Sequence, residues 1–222
     1  MNPDYRPIYP DENIVRFLVS SFPKSRRSRY RILDLGCGIG RHIILLRQMG
    51  FKAYGIDGSI VAVKYAENWL KREKCEADIR LGPITSLPYV DNFFDGIIEH
   101  ATLVNNSWED ILKASKECYR VLKKGGVGFF LLKRITDCAF DHAKKIGENT
   151  YLVKDSIFLS QKTGTHSVTL PFHAFTKSDI SAMFLPFGTV RIHTWDMSFK
   201  KLTIDEVPGK RKTSYYIVLV EK

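Results

Sequence analysis

Up to residue 134 the chain alternates between two rhythms of hydrophobic and polar positions. Short apolar runs near 30–35, 52–57, 78–82, 94–99 and 126–133 read as buried strands. Between them, stretches near 11–21, 40–49, 59–73 and 107–123 carry apolar residues at the helical period. In the last of these, Trp108, Ile111, Leu112, Ser115, Cys118, Tyr119 and Leu122 recur every three or four residues and form one apolar face. Strands and helices in strict alternation predict an α/β fold, a parallel sheet covered on both faces. After residue 134 the alternation stops, and 134–172 mixes polar and aromatic residues without a strong period. A helix near 177–185 and strands near 188–196 and 213–221 follow. With no repeat, linker or low-complexity tract, residues 1–222 are expected to form one domain, with 134–172 as an insertion.

The candidate chemistry starts where the first strand meets the first long helical stretch. Ile32-Leu33-Asp34-Leu35 runs into Gly36-Cys37-Gly38-Ile39-Gly40 and then into Ile43, Ile44, Leu45 and Leu46. A strand that turns into a helix through glycines suits a nucleotide. Without Cβ atoms the backbone can approach the ligand, and the free N–H groups of the helix start face it. The dinucleotide fingerprint is G-x-G-x-x-G. Here the third glycine comes one residue earlier, which argues against a pyrophosphate. The second strand ends in Asp57, followed by Gly58 and Ser59. A carboxylate at that tip can accept from both hydroxyls of a ribose, or can act as a turn residue or helix cap.

Other segments follow in order. They are Leu81-Gly82-Pro83-Ile84-Thr85-Ser86-Leu87-Pro88, then Phe94-Asp95-Gly96-Ile97-Ile98-Glu99, then Tyr119-Arg120-Val121-Leu122-Lys123-Lys124-Gly125-Gly126, and Phe175-Thr176-Lys177-Ser178-Asp179. With the D-L-G-C-G-x-G turn, this series resembles the class I S-adenosylmethionine (SAM) dependent methyltransferases over about residues 8–221. The resemblance implies a Rossmann-like fold with a seven-stranded, mostly parallel sheet whose last strand is antiparallel. It also implies SAM as cofactor, held by Asp34, Gly36, Cys37, Gly38 and Gly40 of the turn, by Asp57 and Gly58, by Pro83 and Ile84 near the adenine, and by Glu99. One departure stands out. Pro83 replaces the acid that in the family accepts from the adenine amino group, and proline offers neither a side-chain acceptor nor an N–H. Adenine then falls to the Ile84 backbone, to apolar contacts, or to Thr85 and Ser86.

The end of the fourth strand, Glu99-His100-Ala101-Thr102, is where the resemblance puts the methyl donor. The N/D-P-P-Y motif of many amine methyltransferases is absent there. His100 is the candidate catalytic base, because an imidazole can take a proton near neutral pH; the alternative is a packing histidine. His166 and His173 flank a segment that the resemblance implies walls the acceptor pocket, and Tyr5, Arg6 and Tyr9 could cover the cofactor.

Composition narrows the picture further. At 44% hydrophobic and 26% charged residues, the chain is ordinary for a globular protein. No apolar run approaches membrane-spanning length, and Met1–Pro7 contains no apolar signal core, so a cytoplasmic location without membrane contact is expected. Cys37, Cys75, Cys118 and Cys138 include no C-x-x-C pair and the six histidines no metal spacing, so no metal is expected. The net charge of +10 is concentrated in Lys24-Ser25-Arg26-Arg27-Ser28-Arg29-Tyr30-Arg31 and in Lys210-Arg211-Lys212. Such runs can bind nucleic acid, but the first precedes the first strand and so lies at the edge away from the expected site. The acceptor is therefore expected to be a small molecule. A tRNA or rRNA methyltransferase and a non-catalytic SAM-binding partner subunit are the alternatives. The sequence leaves the oligomeric state open.

Overall fold

A computed structural model describes residues 8–154, 169–199 and 211–222. Its strands are β1 (Arg31–Leu35), β2 (Lys52–Asp57), β3 (Asp78–Leu81), β4 (Phe94–His100), β5 (Leu122–Lys133), β6 (Lys144–Gly147), β7 (Thr150–Lys154), β8 (Thr169–His173), β9 (Thr189–Phe199) and β10 (Arg211–Glu221). The helices are α1 (Glu12–Ser21), α2 (Arg41–Gln48), α3 (Ile60–Arg72), α4 (Trp108–Val121) and α5 (Lys177–Met183), with short 3₁₀ turns at Lys24–Arg29, Leu103–Asn105 and Cys138–Phe140.

Seven strands form one sheet in the order β3-β2-β1-β4-β5-β10-β9. Strands β1 to β5 are mutually parallel, and β10 lies antiparallel between β5 and β9. The expected seven-stranded sheet, with its last strand reversed, is thus the architecture found. Alternation along the strands divides the core in two. Leu33, Leu35, Ile97, Phe130, Leu132 and Val218 pack against α4 and α5 on one face. Ile32, Ile98, Phe129 and Leu131 pack against α1 and α2 on the other. Among the described residues no helix is long and apolar enough to cross a membrane.

The helices begin where their caps put them. Asp11, Ser59, Ser107 and Thr176 each accept a backbone N–H at the start of α1, α3, α4 and α5, and Thr176 with Asp179 completes a capping box.

Three details differ from expectation. Helix α4 stops at Val121 and α5 at Met183, and β5 starts at Leu122, before the glycine pair. Phe94 pairs with Leu122 across a register shift ahead of Gly96, so the strand resumes through Gly125 and Gly126. The stretch expected to lack regular structure holds a second, antiparallel sheet, β6-β7-β8. Its first strand is exposed at every residue, which leaves no alternation to read. Its inner residues Val153 and Phe172 join the apolar cluster of Leu103, Val104 and Phe175. This seats the small sheet beside the loop that follows β4, at the carboxyl edge of the large one.

Candidate active site

The carboxyl ends of β1, β2 and β4 meet around the glycine turn. Gly36, Gly38 and Gly40 all have positive φ, at 74°, 52° and 90°, which side chains other than glycine rarely tolerate. Their surroundings separate their roles. A Cβ on Gly36 would stand 2.2 Å from Thr102, and one on Gly40 would stand 2.9 Å from Ala66 of α3. These two glycines let other parts of the protein close in. A Cβ on Gly38 would meet nothing within 4 Å, so Gly38 borders open space. The Cys37 side chain turns inward onto Gly55, which leaves only its backbone for a ligand. Gly40 caps α2 without a side-chain bond, so the first N–H groups of that helix remain available to a ligand.

Asp57 ties this turn to the second strand. One carboxylate oxygen accepts from Gly38 N at 2.8 Å and the other from Ser59 N at 2.8 Å. Gly36 N and Cys37 N donate to Ile56 O at 2.8 and 3.0 Å. Two bonds leave a carboxylate with further lone-pair sites, so Asp57 keeps capacity for hydroxyl donors. Gly58 beside it has nothing within 4 Å of its Cβ position. Gly82 N donates to Asp57 O and joins the tips of β2 and β3. Pro83 is exposed there, while the Ile84 side chain is 7% exposed and belongs to the core.

Glu99 has a different task from contacting a ligand. Its carboxylate is fully buried and accepts from the N–H groups of Thr102, Leu103 and Leu131. Burial pushes it up to about 7, against the pull of those N–H groups. It pins the loop after β4, in which Ala101 is held at φ +56°. A left-handed alanine costs roughly 1–2 kcal/mol, which the bonds to Glu99 offset.

That loop sets His100 between two charged groups. Arg41 Nη2 donates to His100 Nδ1 at 3.0 Å, and His100 Nε2 lies 3.4 Å from Asp11 Oδ2. A guanidinium only donates, so Nδ1 accepts and Nε2 carries the proton toward Asp11. Burial opposes ionisation of Asp11, yet the His100 ring and the N–H groups of Asn13 and Ile14 hold it down at about 2. Arg41 also donates to the carbonyl of Tyr9. Sequence reasoning missed both Asp11 and Arg41. Asp11 could be read as a helix cap, but its reach to His100 depends on the tertiary fold. Arg41 did leave a signal, since a cation in the first turn of a helix opposes the helix dipole.

The remaining sequence candidates fall elsewhere. His173 is 2% exposed, stacks on Trp108 with centroids 5.0 Å apart, and faces Asp179 at 3.3 Å. Its ring is enclosed by Trp108, Phe175 and Asp179. The Tyr9 ring is exposed. Tyr5, Arg6 and His166 lie outside the described residues.

The site fits SAM, the cofactor of the class the sequence resembles. Asp34 is 1% exposed, and its Oδ2 is buried without a hydrogen-bond partner; the nearest cation-forming group, His42 Nδ1, is 3.9 Å away. Burial, aided by the Asp57 and Glu99 charges and opposed by Arg41, pushes Asp34 up to about 8. His42 stays neutral, because burial and the Arg41 charge press it well below the usual imidazole range. A buried acid oxygen without a protein partner, at the end of β1 just before the glycine turn, suits the ammonium of the cofactor's amino-acid end.

The sign of the pH effect follows. Folded Asp34 keeps a proton that the unfolded chain gives up, so its contribution to the stability of the ligand-free protein falls as pH rises from about 4 to about 8. An ammonium favours the carboxylate, so SAM binding should release a proton and tighten as pH approaches 8. Calorimetry near neutral pH in buffers of different ionisation enthalpy should show that release, and Asp34→Asn should abolish it. An unchanged release in the variant would assign the proton to another group.

Comparison with known proteins agrees with this geometry. Residues 32–126 match the family model described as a methyltransferase domain. The biotin biosynthesis bifunctional protein BioHC of Teredinibacter turnerae is 38% identical over 105 residues, covering 43% of this chain and 18% of that protein. An uncharacterised methyltransferase of Schizosaccharomyces pombe is 36% identical over 110 residues, covering 43% of this chain and 37% of that one. The chain thus spans well under half the length of these curated relatives. A SAM-dependent methyltransferase structure from Methanosarcina mazei aligns with a TM-score of 0.68 at 19% identity, covering 96% of this chain and 98% of the other. The fold is the Rossmann-like one that class I methyltransferases share. The family match adds a likeness of residues 32–126, under half of the chain, to methyltransferase domains.

Proposed function

We propose that the chain transfers a methyl group from SAM to a small-molecule acceptor. One observation carries this reading. Open space over Gly38 lies beside Asp57, which accepts the Gly38 N–H, and beside the uncapped start of α2, in the turn that follows the strand carrying the unpartnered Asp34 oxygen. When bound, SAM supplies a methyl already activated on a sulfonium sulfur. The protein's work is then mostly placement, which can be worth roughly 7–11 kcal/mol. Asp57 would hold the ribose hydroxyls, Asp34 and the α2 start the amino-acid end, and the backbone at Ile84 with Thr85 and Ser86 the adenine.

A small acceptor suits the surroundings. The start of α1 reaches the site from one side through Asp11 and Tyr9, and β8 with the 3₁₀ turn at Leu103–Asn105 flanks it from the other. The Lys24–Arg29 turn leads into the amino end of β1, at the opposite edge of the sheet. His100 is the proton acceptor of the proposal: Asp11 fixes the tautomer, and Nδ1, which faces Arg41, is the basic atom.

Two measurements test the reading. A charge-assisted hydrogen bond contributes about 1.5–3 kcal/mol, so Asp57→Ala should weaken SAM binding about tenfold or more by calorimetry. A parent protein that does not bind SAM would sink the proposal. A SAM-consumption screen should find turnover with a metabolite pool; turnover with bulk tRNA alone would transfer the reading to RNA methylation.

A further inference from the structure

The positive charge of this chain has a location that the proposed activity does not use. In a parallel sheet whose site lies at the carboxyl edge, the amino ends of the strands and the carboxyl ends of the helices gather at the opposite edge. Here that edge collects cations from separate elements. Lys24, Arg26 and Arg29 come from the 3₁₀ turn, Lys52 from the start of β2, Lys74 from the end of α3, and Lys124 from the junction of α4 and β5. All six side chains are exposed, and among the described residues none forms an ion pair.

Backbone and ring contacts tie these elements together. Lys52 N donates to Tyr30 O, and the Arg27 guanidinium sits 5.4 Å over the Phe51 ring. Arg31 sits 4.4 Å over Phe93, and its N–H donates to Asp95, which also receives Lys123. These contacts join the 3₁₀ turn to the α2–β2 turn and to the start of β4. Most acids at the edge are matched in the same way: Asp91 and Glu117 by Arg120, Asp78 by Arg80, and Asp95 by Lys123. Glu73, Glu76 and Glu221 are left without a cation among the described residues. The six cations are therefore a local surplus.

Their arrangement selects the partner. A 3₁₀ helix has three residues per turn and rises about 2 Å per residue, so residues three apart eclipse roughly 6 Å from each other. Arg26 and Arg29 are such a pair, while Arg27 turns inward onto Phe51. Two guanidinium forks in line suit successive phosphates of one strand, because arginine pairs phosphate oxygens bidentately. An anionic membrane would also attract cations, but insertion needs apolar side chains. Exposed large hydrophobics do flank this edge, Val90 before β4 and Leu185 and Val190 around the start of β9, but none lies on the cation-bearing 3₁₀ turn or on the α2–β2, α3–β3 or α4–β5 turns.

We propose that this edge is a docking surface for the phosphodiester backbone of nucleic acid, on the side of the sheet away from the methyl-transfer site. Docking there leaves the carboxyl edge free, so it holds whether the acceptor is small or not. The reading through Lys24–Arg29 is electrostatic and independent of sequence. Its affinity should fall steeply with salt, with a log–log slope of about −0.7 to −0.9 per phosphate engaged.

The test uses fluorescence anisotropy with two labelled probes of equal length, a single-stranded RNA and a DNA duplex, across a salt series. The edge variant is Arg26→Glu, Arg29→Glu, Lys124→Glu. A control with the same change in net charge is Lys144→Glu, Lys145→Glu, Lys177→Glu, at the far side of the molecule. The parent should bind at least one probe, and the stronger probe identifies the natural source. The edge variant should bind tenfold or more weakly with a shallower salt slope, and the control should bind within a few-fold of the parent. SAM binding should stay unchanged in the edge variant, which also shows that it is folded. Equal losses in the two variants would reduce the effect to net charge and overturn the proposal. So would binding to phosphatidylserine vesicles with no binding to either nucleic acid.

Discussion

Gly38→Val should remove measurable SAM binding while the far-ultraviolet circular dichroism stays that of the parent. The two halves of this result have separate causes. The position is at φ +52°, where a β-branched residue is strained. The local cost is confined to a surface turn, because a Cβ there meets no protein atom within 4 Å, so the fold should persist. What the valine fills is the space next to Asp57, whose carboxylate accepts the Gly38 N–H. Moving that N–H also releases Asp57 from its orientation. Gly36→Val would be a poor substitute, since it would drive into Thr102 and disturb the loop after β4. A folded Gly38→Val protein with parental affinity would show that the cofactor does not approach this turn.

His100→Ala should lower kcat by about a hundredfold or more once an acceptor is known, the size expected for loss of a positioned base. SAM affinity should hardly move, because the ring faces Arg41 and Asp11 and not Asp57. Asp11→Asn separates a base from a packing residue. The amide can still accept the Nε2 proton but carries no charge to stabilise an imidazolium, so kcat should fall by an intermediate factor with KM for SAM preserved. A His100→Ala enzyme within a few-fold of the parent would assign the rate to placement alone.

Where the sequence was informative, local periodicity sufficed. Ile32–Leu35 and Phe94–Glu99 are apolar runs bounded by turns, and α4 keeps one apolar face for its whole length, so strands, helices and their parallel sense followed. The glycine turn and Asp57 were legible because the backbone itself makes that part of the site, and glycine spacing is written in the chain. The rest depended on distance. Asp11 and His100 are 89 positions apart, and no local pattern links them. Glu99 could be placed at a strand tip, but its occupation by three N–H groups depends on how the following loop folds back. The β6-β7-β8 sheet escaped because β6 buries nothing, so its residues obey no alternation.

The place of β10 has a consequence for how the chain is made. Strand β5 finds its antiparallel neighbour only in residues 211–221, so 78 positions (211 − 133) separate the end of β5 from the start of its partner. At roughly 5–20 residues per second of synthesis, the apolar edge of β5 from Val127 to Leu132 waits about 4–16 seconds on the ribosome before it can pair. An unpaired apolar edge invites association with other chains. Variants that weaken β10 should therefore be recognised first by a falling yield of soluble protein during expression, before any loss of activity per folded molecule.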